Sequence, residues 1–149
     1  MNDLDTIKQA LRENAAAVLH GDDFAFRDGL DAIVSSIDSP HSYLCTAGWF
    51  ALVGADALHD IRSAAPTRRQ RHAMFVPSFD DDAHPKVKDA MRIVNVTAND
   101  DHDTAAALTR PYALGIASRD GLVDAKRLLT ELANVARTNH RSTCGGGHR

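Results

Sequence analysis

Apolar residues recur along most of this chain at the spacing of amphipathic α-helices. In the first segment they lie three and four positions apart, which predicts a helix over about residues 3–19. A second apolar stripe begins at Phe26 and ends at Ile37, and Asp22 or Asp23 can cap its start. We expect each of these helices to bury one face in a shared core.

The third segment, about residues 40–64, is the most hydrophobic part of the chain. Ser39 followed by Pro40 is typical of a helix start, with the serine as N-cap and the proline in the first turn. From Tyr43 to Ala55 the run is uncharged and apolar on all sides, which predicts the central helix of the domain. A strip of small residues would let a neighbouring helix approach it closely: Ala47, Ala51 and Ala55.

The next helices are shorter or less clearly bounded. Pro66 can open a short helix within residues 66–76, and Pro85 can open another that leads to a turn over 95–101. An alanine-rich helix then begins near Asp103.

The end of the chain predicts one long helix and a tail. Pro111 should kink or end the helix before it. Ser118 can cap the last helix, over about 119–138, and Asn139 can close it. Residues 140–149, which include three consecutive glycines, are expected to form a flexible tail.

No segment has the pattern of a convincing strand. We therefore expect an all-α fold: a compact single-domain bundle of six or seven helices over residues 1–139, around the central helix at 40–64. A chain of 149 residues with 44% hydrophobic residues and a net charge of −3 fits one globular domain and argues against disorder.

The location of the protein is predicted from what the sequence lacks. The first residues show no signal-peptide pattern, and the longest uncharged apolar run has 13 residues, too few to span a bilayer. The two cysteines, Cys45 and Cys144, lie in different settings and suggest no disulfide framework. These features predict a cytoplasmic protein that does not insert into membranes.

A histidine–aspartate doublet provides the first candidate site. The sequence Leu58-His59-Asp60-Ile61 resembles the doublet of HD-domain metal phosphohydrolases, which are also all-α proteins, and it follows small apolar residues as in that family. The resemblance implies a divalent metal that activates water for phosphoester hydrolysis. The sequence departs from the family after the doublet, where Arg62-Ser63 replaces a pair similar to Gly-Lys.

The family also requires an upstream histidine and a downstream aspartate. His20 lies on a different predicted helix and can serve as the first. One of the carboxylates in the 100–103 turn, such as Asp103, can serve as the second. On this alternative the metal ligands are His20, His59, Asp60 and Asp103. The competing interpretation is that Asp56, His59 and Asp60 form a polar helix face that is hydrogen-bonded or solvated.

Two further groups contain metal-binding residue types. The acidic runs at 80–84 and 100–103 could hold Ca²⁺ or Mg²⁺, although they lack EF-hand spacing, and helix capping explains them sufficiently. In the tail, His140, Cys144 and His148 are spaced by four and could bind zinc or copper with a fourth ligand from the body of the protein.

Residues 61–79 form a basic stretch that contains no acidic residue. Its four arginines are the candidate partner-binding residues: Arg62, Arg68, Arg69 and Arg71. They could form a solvated face or pair internally with Asp80–Asp82. Alternatively, they could bind an acidic protein surface or a phosphate. Nucleic acid is the less favoured partner because no aromatic residues are interleaved. Residues 1–60, in contrast, have a net charge of −7. Such blocks of opposite charge could neutralise each other within one fold, or they could orient subunits in an assembly.

No catalytic motif in the sequence is complete. The function we expect is therefore that of a non-catalytic helical interaction protein, an adaptor, regulator or assembly subunit that binds a protein partner or itself and needs no cofactor. The HD-like phosphohydrolase with its divalent metal is the alternative. A nucleic-acid-associated regulator using the Arg62–Arg71 stretch is a weaker one.

Overall fold

The computed structural model describes the backbone of residues 3–146 and the side chains of residues 5–143. This part of the chain forms seven α-helices and no strand, which confirms the predicted all-α bundle. The helices are α1 (Asp3–His20), α2 (Asp23–Ser35), α3 (Pro40–Ser63), α4 (Arg68–Arg71), α5 (Pro85–Ala98), α6 (His102–Gly115) and α7 (Arg119–Gly146).

Capping side chains fix the helix starts that the sequence predicted. The Asp22 carboxylate accepts a hydrogen bond from the Ala25 N–H at 2.8 Å and begins α2. At the start of α3, Ser39 and Ser42 form a reciprocal capping box, with Pro40 in the first turn. These bonds satisfy N–H groups that have no partner inside the helix.

Two helices share the centre of the bundle. As predicted, α3 is central, and it packs most extensively on α7. In turn, α7 also contacts α1, α2, α5 and α6, so that it closes the core from the other side. The buried Tyr43 hydroxyl of α3 donates to the Ala125 carbonyl of α7 at 2.7 Å, and burial raises the pKa of Tyr43.

A glycine permits the close approach of three helices near residue 54. A Cβ on Gly54 would lie 3.1 Å from Val94 Cγ1 of α5 and 3.5 Å from the Ala136 Cα of α7. The Asn139 side chain of α7 also donates to the Gly54 carbonyl at 3.2 Å. The predicted role of small residues on α3 is therefore fulfilled most clearly at Gly54.

Two helices extend beyond their predicted ends. In α5 the turn expected from residue 95 begins only after Ala98, and the Asn95 and Thr97 side chains donate to carbonyls one turn earlier, at 2.7 Å each. In α7 Asn139 binds Gly54 and does not cap the helix, which continues to Gly146. Part of the predicted tail is therefore helical, while residues 147–149 lie outside the described residues.

The other two differences concern α4 and α6. The short helix expected within 66–76 is limited to Arg68–Arg71. Pro111 does not end α6, which continues to Gly115. Among the described residues, none of the helices combines the length and hydropathy needed to cross a membrane.

Candidate interaction surface

The segment between α3 and α5 is held in one shape by side chains that bond to its backbone. Thr67 and Gln70 form a reciprocal capping box around the single turn of α4, with both hydrogen bonds at 3.1 Å. The Arg71 guanidinium reaches back to the Ala65 carbonyl at 2.9 Å. A four-residue helix is too short to be stable alone, and these bonds keep it in place.

Arg62 joins the end of α3 to the segment. Its Nη1 donates to the carbonyls of Gln70 at 3.2 Å and Ala73 at 2.6 Å. The guanidinium carbon also lies 4.3 Å from the centre of the Phe75 ring. Two of the four predicted partner-binding arginines, Arg62 and Arg71, are therefore engaged within the chain.

Phe75 anchors the far end of the segment. Its ring is buried in a small apolar cluster with Ala55 and Ala98, and it lies edge-on to the His59 ring at 4.9 Å between centres. The Asn99 side chain accepts a hydrogen bond from the Phe75 N–H and donates one to the Phe75 carbonyl, each at 2.8 Å. The residues on either side of Phe75 are consequently presented in a fixed position.

Those neighbours are apolar and face solvent. Met74 is 73% exposed and Val76 is 76% exposed, and Ile61 at the end of α3 is 42% exposed. Ile61 also lines a groove of about 410 Å³, which reaches Ala73, the residue before Met74. Its walls are mainly apolar: Ile61, Arg62, Ala65, Pro66, Gln70 and Ala73. Neighbouring exposed apolar side chains of this kind are typical of a binding surface.

The other two predicted arginines lie in the chain between Pro66 and Gln70, two of the residues that line this groove. Arg68 and Arg69 are exposed, and across residues 5–143 neither guanidinium group makes a hydrogen bond or ion pair. The alternative of internal pairing with Asp80–Asp82 is not found. The three ion pairs among residues 5–143 all involve other residues. We refer to one set of residues as the basic–apolar surface: Ile61, Pro66, Arg68, Arg69, Met74 and Val76.

The structure does not gather the four candidate metal ligands. No group of three or more His, Cys, Asp or Glu residues in the described part of the chain has a geometry that could hold a metal ion. The Nε2 atom of His59 lies 2.8 Å from the Ala98 carbonyl, and its ring packs on Phe75. The His20 ring contacts the His140 ring, at 4.7 Å between centres.

The remaining two residues of that set have ordinary positions. Asp60 is exposed, and its carbonyl accepts a hydrogen bond from the Ser63 hydroxyl. Asp103 lies exposed in the first turn of α6, where a negative charge is favourable. The structure therefore does not bring His20, His59, Asp60 and Asp103 together as one ligand set, and the His59 ring packs on Phe75 instead.

The capping interpretation is confirmed for the acidic run at 100–103, whereas none of Asp80, Asp81 and Asp82 caps α5. Asp101 caps α6 by accepting hydrogen bonds from the Thr104 hydroxyl and N–H, at 2.6 and 3.1 Å. These bonds hold the pKa of Asp101 below its usual value. Before α5 the cap is His84, whose Nδ1 accepts from the Lys86 N–H at 3.1 Å. The Cys144 and His148 side chains lie outside the described residues.

Two other concave regions differ in chemistry. A groove of about 290 Å³ between α3, α5 and α6 has mostly apolar walls, and its Thr97 and Thr109 hydroxyls are bonded within their own helices. A cleft of about 280 Å³ contains Lys86, Tyr112 and Asp124. The Tyr112 hydroxyl donates to Asp89, and partial burial and this carboxylate raise the pKa of Tyr112, so the phenol is neutral and its proton is engaged.

Comparison with known proteins adds no identification. No family model, no curated protein and no solved structure matches this chain.

Proposed function

We propose that this chain is a non-catalytic interaction protein, an adaptor, regulator or assembly subunit, that binds a partner polypeptide through the basic–apolar surface. One observation carries the proposal. The segment that displays Met74, Val76, Arg68 and Arg69 is fixed by hydrogen bonds from Arg62, Arg71 and Asn99, whereas the displayed side chains have no such role.

The fixed shape of this segment supports binding because less conformational freedom is lost when a partner docks. Arginine is enriched among the residues that dominate interface energies. Methionine adapts to partners of different shape. The chemistry of the surface fits a partner segment that combines apolar side chains with carboxylates, which would meet the groove and the two guanidinium groups respectively.

Site-specific photo-cross-linking tests the proposal. A photoreactive phenylalanine analogue replaces Met74 in the full chain, expressed in its own host, and cross-linked products are identified by mass spectrometry. The control places the same analogue at Leu114, which is 65% exposed on α6. A defined polypeptide that is captured reproducibly from position 74, and not from position 114, supports the proposal.

The charge requirement is tested in the same cells. Replacing Arg68 and Arg69 by glutamate should remove the adduct formed at position 74. Replacing the exposed Arg110 and Arg119 by glutamate should leave it intact. If no adduct forms at position 74, or if adducts form equally from both positions, the proposal is wrong.

We also propose that the protein is located in the cytoplasm. Cys45, the cysteine whose side chain the structure describes, is a free thiol, and free thiols suit a reducing environment.

A further inference from the structure

The exposed face of α2 has the opposite character to the basic–apolar surface. Phe24 is 79% exposed, the most exposed large apolar residue in the described part of the chain. Asp28 and Asp31 follow at four and seven positions, so that they share its helix face, and both are exposed. Arg27 also lies near this face and offsets part of the negative charge.

Phe24 lies outside the buried face of α2. The helix α2 packs against α1 and α7, with Phe26, Leu30 and Ile33 as its buried residues, and Phe24 points away from that stripe. An exposed aromatic ring with adjacent carboxylates is what the apolar groove and the free guanidinium groups of Arg68 and Arg69 would accommodate.

These two surfaces do not meet within one molecule. Between residues 3 and 146, α2 makes no contact with α3 or α4, which carry the groove. Both surfaces are therefore available to another molecule at the same time. Their chemistry is complementary in both respects, since an exposed apolar ring corresponds to an apolar groove and two carboxylates correspond to two arginines that are unpaired within residues 5–143.

We propose that the partner of the basic–apolar surface is a second copy of this chain, whose Phe24 ring enters the groove beside Ile61 and Pro66 while Asp28 and Asp31 face Arg68 and Arg69. This inference rests on the proposed function and specifies its partner. Because the two surfaces differ, reciprocal contacts close a dimer, whereas contacts in one direction build a ring or a chain.

Sedimentation velocity of the full chain tests the contact from about 1 µM to about 1 mM, the range of weak to moderate affinity. Wild-type protein should self-associate, and the association should weaken as salt screens the charges. Phe24→Ser should weaken it at least about tenfold, as expected for loss of a central aromatic residue. The matched control Leu114→Ser removes an equally solvent-facing apolar residue and should change nothing.

A charge exchange makes the test specific. One variant carries Asp28→Arg and Asp31→Arg, and a second carries Arg68→Asp and Arg69→Asp. Each alone has surfaces of like charge and should be monomeric. An equimolar mixture restores opposite charges at every contact and should assemble as mixed species. Circular dichroism checks that each variant keeps its helical content.

Three results would overturn the inference: a monomeric wild-type chain at all concentrations, unchanged association of Phe24→Ser, or a mixture of the charge variants that stays monomeric. These results are distinct from failure of the proposed function. A different polypeptide cross-linked from position 74, together with a monomeric chain, would retain the interaction surface and reject the second copy as its partner.

Discussion

Asn99 at the end of α5 holds Phe75 by both of its backbone groups, with two hydrogen bonds of 2.8 Å from one side-chain amide. The bonds join a loop to a helix 24 residues away in sequence. This pair imposes a defined conformation on the part of the basic–apolar surface that carries Met74 and Val76.

Replacing Asn99 by alanine should increase the mobility of the segment around Phe75 and lower the stability of the protein. Two hydrogen bonds are lost at a partly buried position, and each contributes about 1 kcal/mol to stability. Chemical denaturation should show that the free energy of unfolding decreases by about 2 kcal/mol. Hydrogen exchange should show faster exchange over residues 73–77. Unchanged exchange there would mean that Asn99 does not order the segment.

Arg62 should prove to be a structural residue. Arg62→Met keeps much of the side-chain length but removes the bonds to the Gln70 and Ala73 carbonyls and the contact of the guanidinium with the Phe75 ring. We expect cleavage by a protease within residues 64–76 to become faster, because the segment opens more often. Arg68→Met, which removes no bond within residues 5–143, is the control and should leave the cleavage rate unchanged.

Two glycines should respond oppositely to alanine. A Cβ on Gly121 would collide with the backbone carbonyl of Gly115, where α6 ends against α7, so Gly121→Ala should destabilise the protein by about 2 kcal/mol or more. A Cβ on Gly48 meets nothing within 4 Å, so Gly48→Ala should stabilise α3 by up to about 1 kcal/mol. Thermal unfolding of both variants checks the contrast, and a stable Gly121→Ala protein would contradict the described junction.

The cap of α6 should give a pH-dependent contribution to stability. The pKa of Asp101 is lowered in the folded state, chiefly by hydrogen bonds from Thr104. The contribution is therefore present above the pKa of the unfolded chain and is lost as the pH falls through the folded value. Asp101→Ala should destabilise the protein at pH 6, and the difference from wild type should shrink below pH 4. A difference that is constant with pH would contradict a charged cap.

The sequence was informative about the fold where the relevant interactions are local. The capping bonds of Ser39 and Asp22 lie within four residues, and most of the apolar run from Tyr43 to Ala55 is buried, so α2 and α3 followed from the pattern. The run is not buried on all sides, since Leu52 is 50% exposed. The end of α7 did not, because Asn139 is tied to Gly54, 85 positions earlier in the chain. Such a partner leaves no sign in local spacing.

The candidate surface shows the same division. The basic stretch was visible, and Arg68 and Arg69 are exposed as a binding role requires. The engagement of Arg62 and Arg71 with backbone carbonyls depends on the path of the segment, which spacing does not reveal. The exposure of Met74 and Val76 was missed for a related reason. Only the burial of Phe75 between them by His59, Arg62 and Asn99 turns both outward.

The central claim is that the basic–apolar surface binds a polypeptide. Native mass spectrometry of the untagged protein purified from its own host tests it most directly, with wild type, the Arg68→Glu/Arg69→Glu variant and the Arg110→Glu/Arg119→Glu control side by side. We predict a complex of defined mass, containing a second copy of the chain, for wild type and control, and the chain alone for the first variant. The same composition of species for all three proteins, whether complexes or the chain alone, would contradict the claim.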